Sequence, residues 1–314
     1  PYAYPPSYLL ALWPVGMLPY APGSAVFIAT TLTLYLWATV GRAWRSPALA
    51  AALVLPTTTI AVVSGQGGFL TAALLAGGLR LAGRRPILSG VLLGLLTYKP
   101  QLGLLVPVAL VSARLWRTLG AAAATALVLA FLTSLLFGWR IWPDWLTALP
   151  AYSRQFAAES SGLLHLMPTV FASLLRLGAA PEWARLAQGA VTLAVAATTW
   201  TAFRAGPSEP AKALLLAASF LATPYAFVYD LPMLATAIIW LIADRQRCGK
   251  GFASTEVLAL AVAALFPIAM PGGLSRLPSA PIVLAAFVAM IVVHLRRRQQ
   301  SAVPVASLPL AMPQ

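Results

Sequence analysis

Long apolar runs recur from the first tens of residues almost to the C-terminus, and they most constrain what this 314-residue chain can fold into. Only 9% of its residues are charged, against about a quarter in an ordinary soluble domain, so water is not its principal solvent. In a hydrocarbon core every backbone N–H and C=O must find a partner within the protein, which leaves only helices or a closed barrel. The runs are rich in Leu and Ala and lack the apolar/polar alternation of barrel strands. The chain therefore reads as an all-α, polytopic membrane protein.

A crossing takes about 20 apolar residues, or about 17 where the span is thin. By that test nine full spans are expected near 22–41, 47–63, 69–83, 118–138, 183–204, 211–228, 230–243, 254–270 and 280–295. Three further apolar segments are too short to cross comfortably: 8–18, 87–98 paired with 100–113, and 163–177.

Positive residues orient these spans. Placing Arg42 and Arg45 in the cytoplasm brings Arg80, Arg84, Arg85, Arg114, Arg117, Arg204 and Lys212 to the same side. Arg245, Arg247, Lys250 and Arg296 to Arg298 follow, which makes 15 of the 21 Lys and Arg residues. A bias of that size fits positive-inside sorting. It accounts for the net charge of +14 without a nucleic-acid partner. Residues 1–298 read as one transmembrane domain and the Pro-containing 299–314 as a disordered cytoplasmic tail. The single cysteine, Cys248, excludes an internal disulfide and a thiolate metal cage.

The outer side then holds Tyr4-Pro5-Pro6, Gly65 to Gly68, Lys99, a long 139–182 loop, Thr223 to Asp230, and 271–279. Trp139, Trp142 and Trp145 in that loop serve as interfacial anchors or as stacking surfaces for a sugar or prenyl chain.

Polar groups stranded among apolar runs are the informative ones, because burying them is costly. Lys99 stands between two apolar stretches, and Pro100 disfavours helix at that residue. A cation at a broken helix beneath an outer cavity suits a phosphate; the alternative is a lysine snorkelling from a span end. Gln66 sits in a glycine-rich turn whose glycines permit close approach of a ligand or simply make the turn. Asp230 tops an apolar span, where it binds substrate or complements a helix N-terminus. His165 and Arg154 are outer-loop candidates, and Arg276 is an anion contact or an interface anchor. No cluster of His, Cys, Asp and Glu has metal-ligand spacing. The chain also lacks a Walker motif, a dinucleotide fingerprint and a Gly-x-Ser-x-Gly elbow, so no cofactor or metal is expected.

The order of the outer motifs resembles glycosyltransferase family 87, within the membrane GT-C fold. Tyr4-Pro5-Pro6 with its following helix, Gly65-Gln66 at the head of a span, Ser89 to Leu95 leading into Lys99-Pro100, and Thr223-Pro224 through Asp230 carry the likeness. Two positions depart from the pattern: Gly68 stands where members often carry Asn, and Thr223 where they carry Ser.

The resemblance implies a GT-C-like bundle that moves a hexose, mannose foremost, from a polyprenyl-phosphate sugar. The acceptor would be a lipid or glycan at the outer face of a bacterial cytoplasmic membrane. It implies donor-phosphate contacts from Lys99, Arg154 and Arg276. Substrate contacts would come from Tyr4, Pro5, Pro6, Gln66, His165 and Asp230. It also places the catalytic base in an outer loop upstream of Pro1. A secondary transporter or lipid flippase is the alternative reading, since broken helices with a buried lysine also serve that class.

Overall fold

The structure is a computed structural model that describes residues 4–41, 46–159, 163–249, 251–270 and 278–301. Among these residues every regular element is a helix. The chain runs through α1 (Tyr8–Gly16), α2 (Tyr20–Val40), α3 (Pro47–Val54), α4 (Pro56–Ser64) and α5 (Gly68–Leu81). Next come α6 (Pro86–Leu95) and α7 (Leu105–Ser112), joined through 3-10 turns at Leu96–Tyr98 and Pro100–Gly103. Then follow α8 (Trp116–Phe137), α9 (Ile141–Glu159), α10 (Val170–Arg176) and α11 (Pro181–Phe203). The chain closes with α12 (Glu209–Ala222), α13 (Pro232–Arg247), α14 (Ser254–Leu265) and α15 (Ala280–Ser301).

Proline punctuates this order. It occupies the first turn of α3, α4, α6, α11, α12 and α13, where its missing N–H breaks no helical bond. At Pro56 it separates α3 from α4, and the two are bent by 49°.

Four helices are long and apolar enough to cross a membrane: α2, α8, α11 and the Ala280–Arg298 stretch of α15. The bent α3–α4 pair makes a fifth if it counts as one span. The remaining expected spans are shorter helices: α5 and α12 have 14 residues, α13 has 16 and α14 has 12. The reason is visible in the packing. Almost every side chain of α5, α12 and the first part of α13 is buried against other helices. A helix that is apolar all round is solvated by protein as readily as by lipid, and its 14 residues reach only about 21 Å.

Around this centre α2 packs on α5, α11 and α15 on α12, and α6 on both α5 and α8. The α6–α8 contact is backbone-close because Gly90 and Gly94 face it. A Cβ on either would collide with α8 at Thr118 to Ala122 or at Thr125, as in small-residue membrane packing. The expected long loop at 139–182 is largely helical, since α9 and α10 fill it. Trp142 there donates to the Ala130 carbonyl of α8 at 3.3 Å.

The bundle has two chemically different ends, and α5 runs between them with Gly68 at one and Arg80 at the other, about 18 Å apart. At the Arg80 end the guanidinium donates to the carbonyls of Ala38 and Thr39 at 2.9 and 3.3 Å, closing the last turn of α2. Trp240 of α13 donates to the Thr39 carbonyl at 2.9 Å. The neighbouring 244–256 segment and α15 add Arg245, Glu256, His294 and Arg298. Charges that the sequence assigns to one face of the membrane are thus gathered at one end of the bundle.

Candidate active site

At the Gly68 end the α6–α7 hairpin brings Lys99 to its tip. Both arms return to the N-terminal end of α8: Gly90 near the start of α6 abuts Thr118, and α7 ends a few residues before Trp116. The helix stops short of Lys99 because Pro100 pushes the preceding residue out of the helical region, and Lys99 takes φ −134°, ψ 66°. Its side chain points into the bundle and is only 2% exposed.

There Lys99 Nζ donates to Asp230 Oδ1 at 2.6 Å. Asp230 is also 2% exposed and closes a 3-10 turn at Val228–Asp230 just before α13. Its Oδ2 accepts the Phe227 N–H at 3.3 Å. An ammonium has three donors, and Asp230 accepts one. The Tyr229 ring centroid lies 4.8 Å from Nζ and the Tyr4 ring centroid 5.7 Å. The rest of the ammonium therefore faces π-electron density, a favourable but weaker solvent than an anion.

Aromatic rings wall this pair. Tyr4 lies 4.9 Å from Tyr8, and Tyr8 stacks on Tyr98 at 4.5 Å with an interplanar angle of 19°. Phe227 and Tyr229 stack at 5.2 Å. Tyr98 is fixed by donating to the Gly67 carbonyl at 2.9 Å, with the Thr71 hydroxyl 2.6 Å away. This ties the hairpin tip to the α4–α5 turn, whose Gly65 adopts φ +60°, a conformation glycine takes without strain. Gly68 has no room for a side chain, because a Cβ would collide with the Tyr229 carbonyl oxygen. The departure from Asn at this position lets the start of α5 pack directly on the turn that presents Asp230.

Tyr4, Gln66, Lys99 and Asp230, taken from four separate stretches of sequence, thus share one end of the bundle. Tyr4 reaches Gln66 Oε1 only at 3.5 Å. Pro5 and Pro6 are buried, and their carbonyls accept the N–H groups of Tyr8 and Leu9 at 3.0 Å, so they start α1. His165 lies elsewhere, lining a small cavity with Arg176, Ser173 and Met270. The side chain of Arg154 on α9 and all of Arg276 fall outside the described residues. Sequence reasoning overlooked Tyr8, Tyr98 and Tyr229. A signal was there: both charges of this pair directly follow a tyrosine, in Tyr98-Lys99 and Tyr229-Asp230.

The profile of glycosyltransferase family 87 matches residues 2–224 of the chain. The chain belongs to that family. No curated protein and no solved structure matches it. The match takes in Tyr4, Gln66 and Lys99 and ends six residues before Asp230. Family 87 membership makes the chain a glycosyltransferase, and its apolar helices make it a membrane-embedded one. Such an enzyme needs a sugar donor and an acceptor, and this end of the bundle presents a buried cation, a carboxylate and aromatic surfaces on which both can be held.

Proposed function

We propose that the chain is a GT-C-like membrane enzyme that transfers a hexose, mannose foremost, from a polyprenyl-phosphate sugar to a lipid or glycan acceptor. The reaction takes place at the outer face of a bacterial cytoplasmic membrane. The observation that carries this reading is the buried Lys99–Asp230 pair at the end of the bundle opposite the arginines. Positive-inside sorting makes the arginine end cytoplasmic and so turns the lysine outward.

In this mechanism the donor's phosphate takes the N–H directions of Lys99 that now face Tyr4 and Tyr229. The acceptor hydroxyl attacks the anomeric carbon, the bond from that carbon to the phosphate oxygen breaks, and its electron pair leaves with the phosphate. Lys99 neutralises the charge that develops there, a contribution worth about 2.7–4 kcal/mol for a single well-placed donor. A carboxylate acting as general base takes the acceptor's proton. Asp230 holds the Lys99 ammonium in place, and Gln66 and Tyr4 meet sugar hydroxyls, aromatic faces being suited to the apolar face of a sugar ring. Arg154 and Arg276 add further cationic contacts to the phosphate.

The test is transfer from a polyprenyl-phosphate sugar by the full-length protein and by Lys99→Ala, both quantified in membranes. The expected result is a fall in turnover of about 10²-fold or more with the variant still inserted. Undiminished turnover would reduce Lys99 to a structural lysine and remove the central support of this proposal.

A further inference from the structure

At the arginine end of the bundle the fold gathers four arginines that no carboxylate meets. Arg84 and Arg85 lead into α6, Arg114 precedes α8 and Arg117 lies in its first turn, and all four are exposed. The two helices run parallel and in contact: Gly90 abuts Thr118 to Ala122, and Gly94 abuts Ala122 and Thr125. One turn before Gly90 is Pro86, which therefore lies level with the 114–118 segment. Two loops distant in sequence thus bring their arginines to one seam between two helix starts. We infer that this seam seats the phosphate of an anionic phospholipid. The inference is independent of the sugar-transfer reading.

Charge is the first support. No Asp or Glu precedes Asp144 in the chain, and among the described residues none of the four arginines has an ion-pair partner. Elsewhere at this end Lys212, Arg245 and Arg298 pair with Glu209, Glu256 and Asp244. Positive-inside sorting explains which side the arginines face, but not why one group is balanced and the other left bare. The helix starts are the second support. Neither first turn carries an acidic residue or a side-chain cap, so free N–H groups and positive dipole ends add to the arginines.

The third support is a buried hydroxyl. Thr118 is 0% exposed and its Oγ1 has no hydrogen-bond partner. Thr125 and Thr133, further along α8, donate to the carbonyl four residues earlier. For Thr118 that residue is Arg114, whose φ of +55° takes it out of the helix. Thr118 lies on the α6 side of α8, and helical side chains tilt toward the helix start. Its hydroxyl therefore points into the seam, where a phosphate oxygen can accept from it.

The fourth observation selects a lipid over a soluble phosphate. Ile87, Leu88 and Trp116, close to the arginines in sequence, are exposed. A cationic seat rimmed by apolar side chains suits an amphiphile, and basic pockets between membrane helices hold lipid headgroups in this way. α6 begins at this seat and leads to the turn carrying Lys99, so an occupied seat anchors the root of that hairpin.

The experiment titrates phosphatidylglycerol onto the full-length protein in neutral detergent and reads bound lipid by native mass spectrometry. Phosphatidylcholine and soluble glycerol phosphate are the comparisons. The variants are Arg84→Gln/Arg117→Gln, Thr118→Val, and Arg296→Gln/Arg297→Gln, which removes the same charge from α15; each is checked by its melting temperature. Phosphatidylglycerol should bind the wild type at least about tenfold more tightly than phosphatidylcholine, and excess glycerol phosphate should not displace it. Each seam arginine removed should cost about fivefold in affinity, or about 25-fold in the double variant, and Thr118→Val about tenfold. The α15 variant should lose no more than about twofold, its charges being screened from the seam by salt.

Equal losses in the seam and α15 variants overturn the site, leaving only diffuse attraction. Wild-type affinity in folded Thr118→Val overturns the seat between the helix starts; the exposed arginines carry the test should that variant unfold. Equal affinity for phosphatidylcholine, or displacement by glycerol phosphate, overturns the anionic lipid as the occupant.

Discussion

At the arginine end of the bundle, buried charge is shared. Asp244 accepts from Arg298 at 2.8 and 3.0 Å and from the His294 ring at 3.1 Å. Arg245 donates to Glu256 and to the Gly251 carbonyl at 2.6 Å each, and to His294 Nδ1 at 3.2 Å. Because arginine only donates, His294 Nδ1 accepts and its Nε2–H is directed at Asp244. Glu256 also accepts the Ala253 N–H at 2.9 Å, starting α14. Asp244, Arg245, Glu256 and His294 each have more than one partner, although Arg245 Nε has none, and the network pins α13, α14 and α15 together.

At the other end, Lys99 and Asp230 have one ionic partner each, and aromatic faces occupy the remaining directions of the ammonium. Apart from the Phe227 N–H that Asp230 accepts, packing there does not call for a charge, and an apolar pair of similar volume often replaces a buried ion pair without loss of stability. Redundant partners mark a structural clasp. The isolated Lys99–Asp230 pair keeps the donor capacity that the proposed phosphate contact would use.

That contrast can be broken by experiment. The largest effect is expected at the isolated pair. Asp230→Leu strands a buried ammonium and should cost about 3–5 kcal/mol, read as a lowered melting temperature. Adding Lys99→Met removes the stranded charge and should restore most of that stability while sugar transfer stays absent. A double variant that is both stable and fully active would show that the pair has no part in the chemistry.

Next in size is Arg245→Met in the network. It leaves Glu256 without its short ionic contact and should cost about 2–3 kcal/mol, with the donor KM of the folded fraction unchanged. A raised KM would mean that the two ends communicate. The smallest effect is expected for Tyr4→Phe. It removes a 3.5 Å contact to Gln66 and keeps the ring over Lys99. Stability should shift by no more than about 0.5 kcal/mol, and a donor KM raised tenfold would show that the Tyr4 hydroxyl touches substrate.

Much of this site can be read along the chain, and the rest cannot, for a physical reason. Lys99 and Asp230 stand out singly because a charge beside long apolar runs needs an explanation wherever it ends up. Their union does not stand out, since 131 residues separate them and no local pattern encodes a contact between two helix breaks. Gly68 shows in sequence only as a departure from the Asn that family members often carry. Only its contact with the Tyr229 carbonyl shows that the position has no space for one. His165 looks like a site residue because histidine is rare here, yet the fold places it in another cavity.

By itself the sequence determined the solvent, the secondary structure and the sorting of charge. Each depends on local composition: apolar runs need internally bonded helices, prolines start and break them, and arginines collect at one end. The tertiary structure alone decided which apolar helices are covered by other helices and which are left open. It also decided that Lys99 meets a carboxylate within tyrosine walls. Apolarity reports that a helix avoids water, whereas burial by protein or by lipid depends on which helices surround it.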